Sequence, residues 1–116
     1  MTQDETIENN KLIAEFMKLP VSELHGELCY ADWDGMHSVK YHTSWDWLMP
    51  VVEKIESTET EFDGYFGVHI SSNNCCIQGT RLRTDPEHFH PAYFNDVTLD
   101  TKILSTWQAV VQFIKW

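Results

Sequence analysis

Glu27-Leu28-Cys29-Tyr30-Ala31-Asp32-Trp33-Asp34-Gly35-Met36-His37-Ser38-Val39-Lys40-Tyr41-His42 is the stretch that decides the fold class. Its first half has a period of two: Leu28, Tyr30 and Asp32 fall on one face, Cys29, Ala31 and Trp33 on the other. Asp34-Gly35 is a tight-turn dipeptide, because glycine adopts at no steric cost the positive φ that short hairpin turns require. The stretch therefore predicts a β-hairpin, 26–33 paired with 36–42.

The period changes on both sides of it. Upstream, Ile7, Leu12, Ile13, Phe16 and Met17 recur at helical spacing, with Asn9, Asn10, Lys11, Glu15 and Lys18 filling the other side, which predicts an amphipathic helix from Thr6 to Leu19. Pro20 ends it, since the residue before a proline avoids helical angles. Downstream, Trp45, Leu48, Met49, Val52 and Ile55 form a second helical stripe. Thr43 or Ser44 offers a capping hydroxyl, and Asp46, three residues after Thr43, completes an acidic capping box. Pro50 lies beyond the first turn, so a bend near Asp46 is expected.

After an acidic linker, 56–63, the alternation returns. Phe66, Val68 and Ile70 oppose Gly67, His69 and Ser71, Ser72-Asn73-Asn74 supplies a turn, and Cys75, Ile77 and Gly79 continue as the paired strand. Residues 81–98 show no clear period and contain two prolines, so they read as an ordered loop. Asp100 is then placed to cap a last helix, with Leu99 and Leu104 as its hydrophobic staple and Ile103, Leu104, Trp107, Val110, Val111 and Ile114 facing inward. This order of elements predicts an α+β two-layer sandwich, with an antiparallel sheet of about four strands and helices on one face. A parallel βαβ sheet fits less well, because both strand pairs are joined by short turns.

At 116 residues, with 42% apolar and 13% aromatic content, the chain suits a single domain over 1–116. Its net charge is −10; the first forty residues and the next forty each carry −5, and the last thirty-six carry none. Such a field repels phosphate backbones, which disfavours nucleic acid as a partner. No apolar run approaches the roughly 20 residues of a membrane span, and the acidic opening lacks the basic and apolar regions of a signal peptide, so a cytoplasmic protein off the membrane is expected. Cys29, Cys75 and Cys76 cannot all pair, and without a CxxC they read as free thiols. On a strand, Cys75 and Cys76 point to opposite faces, one inward and inert, the other outward.

Few residues group as chemistry requires. His88 and His90, beside Asp85 and Glu87, are weak metal candidates that would need a third ligand from His37, His42 or His69. His37 and His42 lie near Asp32 and Asp34, so a His–carboxylate acid–base pair is conceivable there, although two acidic residues around Trp33 are also ordinary turn chemistry. No GxSxG elbow is present, Gly64-Tyr65-Phe66-Gly67 lacks the continuation of a P-loop, and no cofactor is expected. Five Trp, four Tyr and six Phe exceed what a small core needs. Trp33, Trp47, Tyr93 and Phe94, with Trp116, are the candidates for a binding patch, since rigid aromatics anchor interfaces.

The run Tyr41-His42-Thr43-Ser44-Trp45-Asp46-Trp47-Leu48-Met49-Pro50-Val51-Val52-Glu53-Lys54-Ile55-Glu56 resembles a group of small proteins of Bacteroides- and Flavobacterium-type bacteria and their phages. Asn10-Lys11-Leu12-Ile13-Ala14-Glu15-Phe16-Met17 and Trp107-Gln108-Ala109-Val110-Val111-Gln112-Phe113-Ile114-Lys115-Trp116 are similar to the same group's opening and closing helices. The resemblance implies a compact phage- or mobile-element-associated protein and brings no catalytic residues with it. Taken together, these features favour a non-enzymatic interaction protein that binds a protein partner or a second copy of itself. The alternatives are a metal-binding protein or metal-dependent enzyme using the His cluster, and a small-molecule module with a pocket between the sheet and the helix carrying Pro50.

Overall fold

Thr2 opens the first helix, α1 (Gln3–Phe16), by accepting a hydrogen bond from the Glu5 N–H through its side chain. The computed structural model describes residues 2–24, 26–58, 66–79 and 94–116. Helix α1 stops earlier than Pro20 requires. Lys18 takes a left-handed φ of 58°, its N–H bonds the Glu15 carbonyl at 3.1 Å, and the Leu19 N–H bonds the Ala14 carbonyl at 2.8 Å. These are the two bonds of a Schellman motif, here built on lysine rather than glycine. The Lys54 ammonium lies 4.4 Å from the Phe16 ring centroid and donates to the Phe16 carbonyl, which puts a cation at the negative end of α1.

The first sheet has three strands, β1 (Ser22–Leu24), β2 (Glu27–Asp32) and β3 (Gly35–Ser38), in that order and antiparallel throughout. The expected hairpin is present, with its corner one residue earlier. Asp32 pairs with Gly35, so Trp33 and Asp34 occupy the turn; the Asp34 N–H donates to Asp32 Oδ1 at 2.7 Å, and Gly35 holds a φ of 124°. Strand β1 has too short a run to show a period, and it pairs with β2 across Gly26, whose φ is 77°.

Helix α2 (Trp45–Glu56) begins at Ser44, whose side chain makes no capping bond, so the capping box at Thr43 and Asp46 does not form. Instead the Lys40 carbonyl receives the N–H groups of Thr43 and Ser44 at 3.2 and 3.0 Å. The helix continues through the exposed Pro50, with Leu48, Val51, Val52 and Ile55 buried.

A second antiparallel sheet contains β4 (Phe66–Ser71), β5 (Asn74–Gly79) and β6 (Phe94–Thr98), in that order. The α+β class holds, but two three-stranded sheets replace the expected single sheet of about four strands. Each hairpin recruits its own third strand: β1 beside β2, and β6, from within the stretch read as a loop, beside β5.

Helix α3 (Lys102–Lys115) is the centre of the molecule, packing against α1, α2 and the second sheet. Thr101, not Asp100, caps it, accepting from the Leu104 N–H at 3.2 Å. That moves Leu99 one place too far out for a staple, and the Leu99 N–H bonds Ser105 Oγ at 2.8 Å instead. Ser105 also donates to the Asn73 carbonyl, tying the helix start to the β4–β5 turn. Trp107, Ala109, Val110 and Val111 are fully buried, with Ile13, Leu48, Ile55 and Ile77 completing the core. Each large aliphatic side chain so buried contributes about 1.5–3 kcal/mol. Within this core Asn95 accepts from the Ile77 N–H and donates to the Ala109 carbonyl, both at 3.0 Å, joining β6 to β5 and to the middle of α3. Among the described residues no helix is long and apolar enough to cross a membrane.

The cap assignment separates two substitutions. Thr101→Ala is expected to lower stability by about 1 kcal/mol and Asp100→Ala by less than about 0.5 kcal/mol, measured by urea denaturation at neutral pH.

Candidate functional site

Two places on the molecule carry polar chemistry that packing alone does not require. The first is the β2–β3 tip. A two-residue corner leaves no neighbouring chain to cover its side chains, and Trp33 is 94% exposed there, with Met36 and Leu24 also exposed on the same sheet. The corner is braced beneath the indole. Asp32 receives the Asp34 N–H and, at 3.1 Å, the His37 Nε2–H, and these bonds, the backbone one foremost, hold its carboxyl below the ordinary carboxylate value. An aromatic column then runs inward: His37 to Tyr30 at 5.3 Å, Tyr30 to Trp47 at 5.2 Å and Trp47 to the buried Tyr41 at 5.2 Å, the last two edge to face.

The sequence candidates therefore separate. Trp33 stands in solvent, whereas Trp47 is half-buried as a wedge joining α2 to the first sheet. Trp116 lies 6.1 Å from Phe66 and 6.3 Å from Phe113, on the side of the second sheet. Phe94 opens β6 opposite Gln78, and Tyr93 lies outside the described residues. So do His88 and His90; among the described residues no three His, Cys, Asp or Glu side chains cluster as a metal site would need. Of the two histidines placed near Asp32 and Asp34, only His37 reaches a carboxylate among the described residues. Cys75 is fully buried and Cys76 partly exposed on the opposite face of β5, as alternation requires, and burial pushes the Cys75 thiol up to about 11.

The second place is where His42 goes. Its Nδ1 lies 3.0 Å from Asn10 Nδ2, and Asn10 Oδ1 lies 2.8 Å from Trp107 Nε1. An indole N–H can only donate, so the Asn10 oxygen must face Trp107 and its NH2 must face His42. His42 Nδ1 is then an acceptor, the ring proton sits on Nε2, and the imidazole is neutral. Burial acts in the same direction, lowering the His42 pKa. Asn9 and Asn10 are buried rather than on the expected polar side of α1; Asn10, 2% exposed, lies three residues after Ile7 and three before the buried Ile13, a spacing that could have placed it on the apolar face.

Protonation of His42 would set an N–H against the Asn10 NH2. With its folded pKa below the unfolded value of about 6.5, the unfolded chain takes up the proton first. The contribution is complete above that value and declines as the pH falls through it towards the folded pKa. The Asp32 carboxylate acts in a separate window: its contribution is complete above its ordinary value of about 3.8 and is lost as the pH falls below it. Urea midpoints measured between about pH 7.5 and 5 are expected to fall with acidity. His42→Gln, whose amide oxygen can accept from Asn10, should flatten that limb. No protein family, curated protein or solved structure matches the chain, so this geometry carries the functional argument.

Proposed function

We propose that the protein is a non-enzymatic interaction module that binds a protein partner through the β2–β3 tip, with Trp33 as the anchor. The supporting observation is the 94% exposure of Trp33 on a corner braced by the Asp32 hydrogen bonds. A large apolar side chain held in solvent on a stiffened turn binds with little ordering cost, and tryptophan is the residue most enriched at interface hot spots. Asp32 and Asp34 flank it, and the chain carries −10 overall, so the complementary surface is an apolar pocket with a basic rim. The same charge favours protein over nucleic acid. The resemblance of the 41–56 run and of the two outer helices to small phage-associated proteins makes a host or phage protein in the cytoplasm the natural partner, with a second copy of the chain as the other candidate.

The test compares tagged wild type, Trp33→Ala and Trp47→Ala in native mass spectrometry and quantitative capture from cells of the host type. Trp33→Ala is expected to keep the wild-type melting temperature and to weaken binding by about 2 kcal/mol or more, roughly thirtyfold. Trp47→Ala should instead lower the melting temperature, because its ring fills the space between Tyr30 and Tyr41. Wild-type binding by a folded Trp33→Ala protein would remove this reading.

A further inference from the structure

A cavity of about 250 Å³ opens between α1 and the first sheet. That is slightly below the roughly 300–1,000 Å³ of most ligand pockets, so it suits a small body rather than a nucleotide. Ile7 from α1 and Leu28 and Val39 from the sheet give it apolar walls, while Lys40, His42 and Glu27 supply its charge and hydrogen-bonding groups. It is held open by a strut, the Gln3 side-chain amide donating to the Gly26 carbonyl at 2.8 Å, which ties the start of α1 to the β1–β2 turn.

The polar groups differ in what they have left to give. His42 Nδ1 is committed to Asn10, and the Trp107 indole, by orienting the Asn10 amide, leaves the ring proton on Nε2, which has no partner in the described residues. Lys40, likewise, has no ion-pair partner among the described residues, whereas the Glu27 carboxylate already accepts from Ser38 Oγ at 3.2 Å. Two residues with unmatched donors, one of them cationic, thus line a cleft of mixed polar and apolar walls. We propose that this cleft binds a small apolar monocarboxylate, its carboxylate received by the His42 Nε2–H and the Lys40 ammonium and its hydrocarbon body by Ile7, Leu28 and Val39.

One cation and one neutral donor match a single negative charge. Glu27 in the same lining opposes any anion, and it opposes a phosphate group, with its greater charge, more strongly than a monocarboxylate. The net −10 of the chain acts at longer range and is screened over about 8 Å at physiological ionic strength, so Lys40 and Glu27 set the local field.

The experiment titrates benzoate, isovalerate and the uncharged isostere benzamide into ¹⁵N-labelled protein, and repeats the series with Lys40→Gln. Lys40 is exposed and unpaired, so that variant keeps the fold. Benzoate and isovalerate are expected to shift the amide resonances of Leu28, Val39, Lys40 and His42. Benzamide should bind about tenfold more weakly than benzoate, the loss of one charge-assisted contact, and Lys40→Gln should erase that difference. No shifts with either acid, shifts that map elsewhere, or equal binding of benzoate and benzamide would each overturn the proposal. Trp33→Ala leaves all of these outcomes unchanged, which keeps the test independent of the interaction surface.

Discussion

The one-way hydrogen bond from the Trp107 indole to Asn10 fixes three parts of this molecule against one another. An amide buried without partners costs on the order of 1–3 kcal/mol, so Asn10 is tolerated at 2% exposure only because both of its ends are met. Meeting them joins three separate parts of the chain: the middle of α1, the centre of α3 and the segment between β3 and α2. Apolar packing alone permits these elements to slide or rotate with modest penalties. A donor-only indole facing a two-ended amide permits one arrangement, and that arrangement also dictates the tautomer of His42.

Asn95 does the equivalent work further along α3. Its amide accepts from the Ile77 N–H and reaches the Ala109 carbonyl, so β6 is registered against both its neighbour and the helix. With Ser105 tying the start of α3 to Asn73, the central helix is fixed at its beginning and its middle by bonds to the second sheet, and at Trp107 by its bond to α1. The first sheet is attached more lightly, through Leu28 and Val39, the Lys11–Glu23 ion pair and the Trp47 wedge. Its outer end carries Trp33 into solvent.

What could be read from the sequence was whatever local period and turn chemistry encode. The three helices, the hairpin tip and the β4–β5 pair are all visible in side-chain spacing, and the opposite fates of Cys75 and Cys76 follow from alternation alone. Strands β1 and β6 were not visible, because three and five residues show little period and their pairing is decided by the strand already waiting beside them. The caps were displaced for a related reason. Asp100 and Thr101 are both competent, and the choice rests on Ser105 reaching Leu99 and Asn73, which is tertiary. The candidate site was half legible: Trp33 and the Asp32–His37 pair follow from the hairpin, but the partner of His42 lies thirty-two residues away in sequence.

An exposed tryptophan is a liability for a soluble chain, since it offers apolar area to any surface it meets. Here the corner residues before and after it are both aspartates, and the molecule is strongly acidic, so nonspecific contacts are opposed by like charge and desolvation while a basic-rimmed pocket is not. The aromatic column beneath the tip has a matching effect. Tyr30, Trp47 and Tyr41 are large side chains that could have stayed in a conventional core, yet they run from the buried Tyr41 out to His37 and the Asp32 carboxylate. Rigid rings in edge-to-face contact carry the order of the core outward to the turn, which reduces the entropy lost when Trp33 is engaged. Like charge around the indole and stiffness beneath it are both what the proposed anchor role requires, and a merely stranded side chain would need neither.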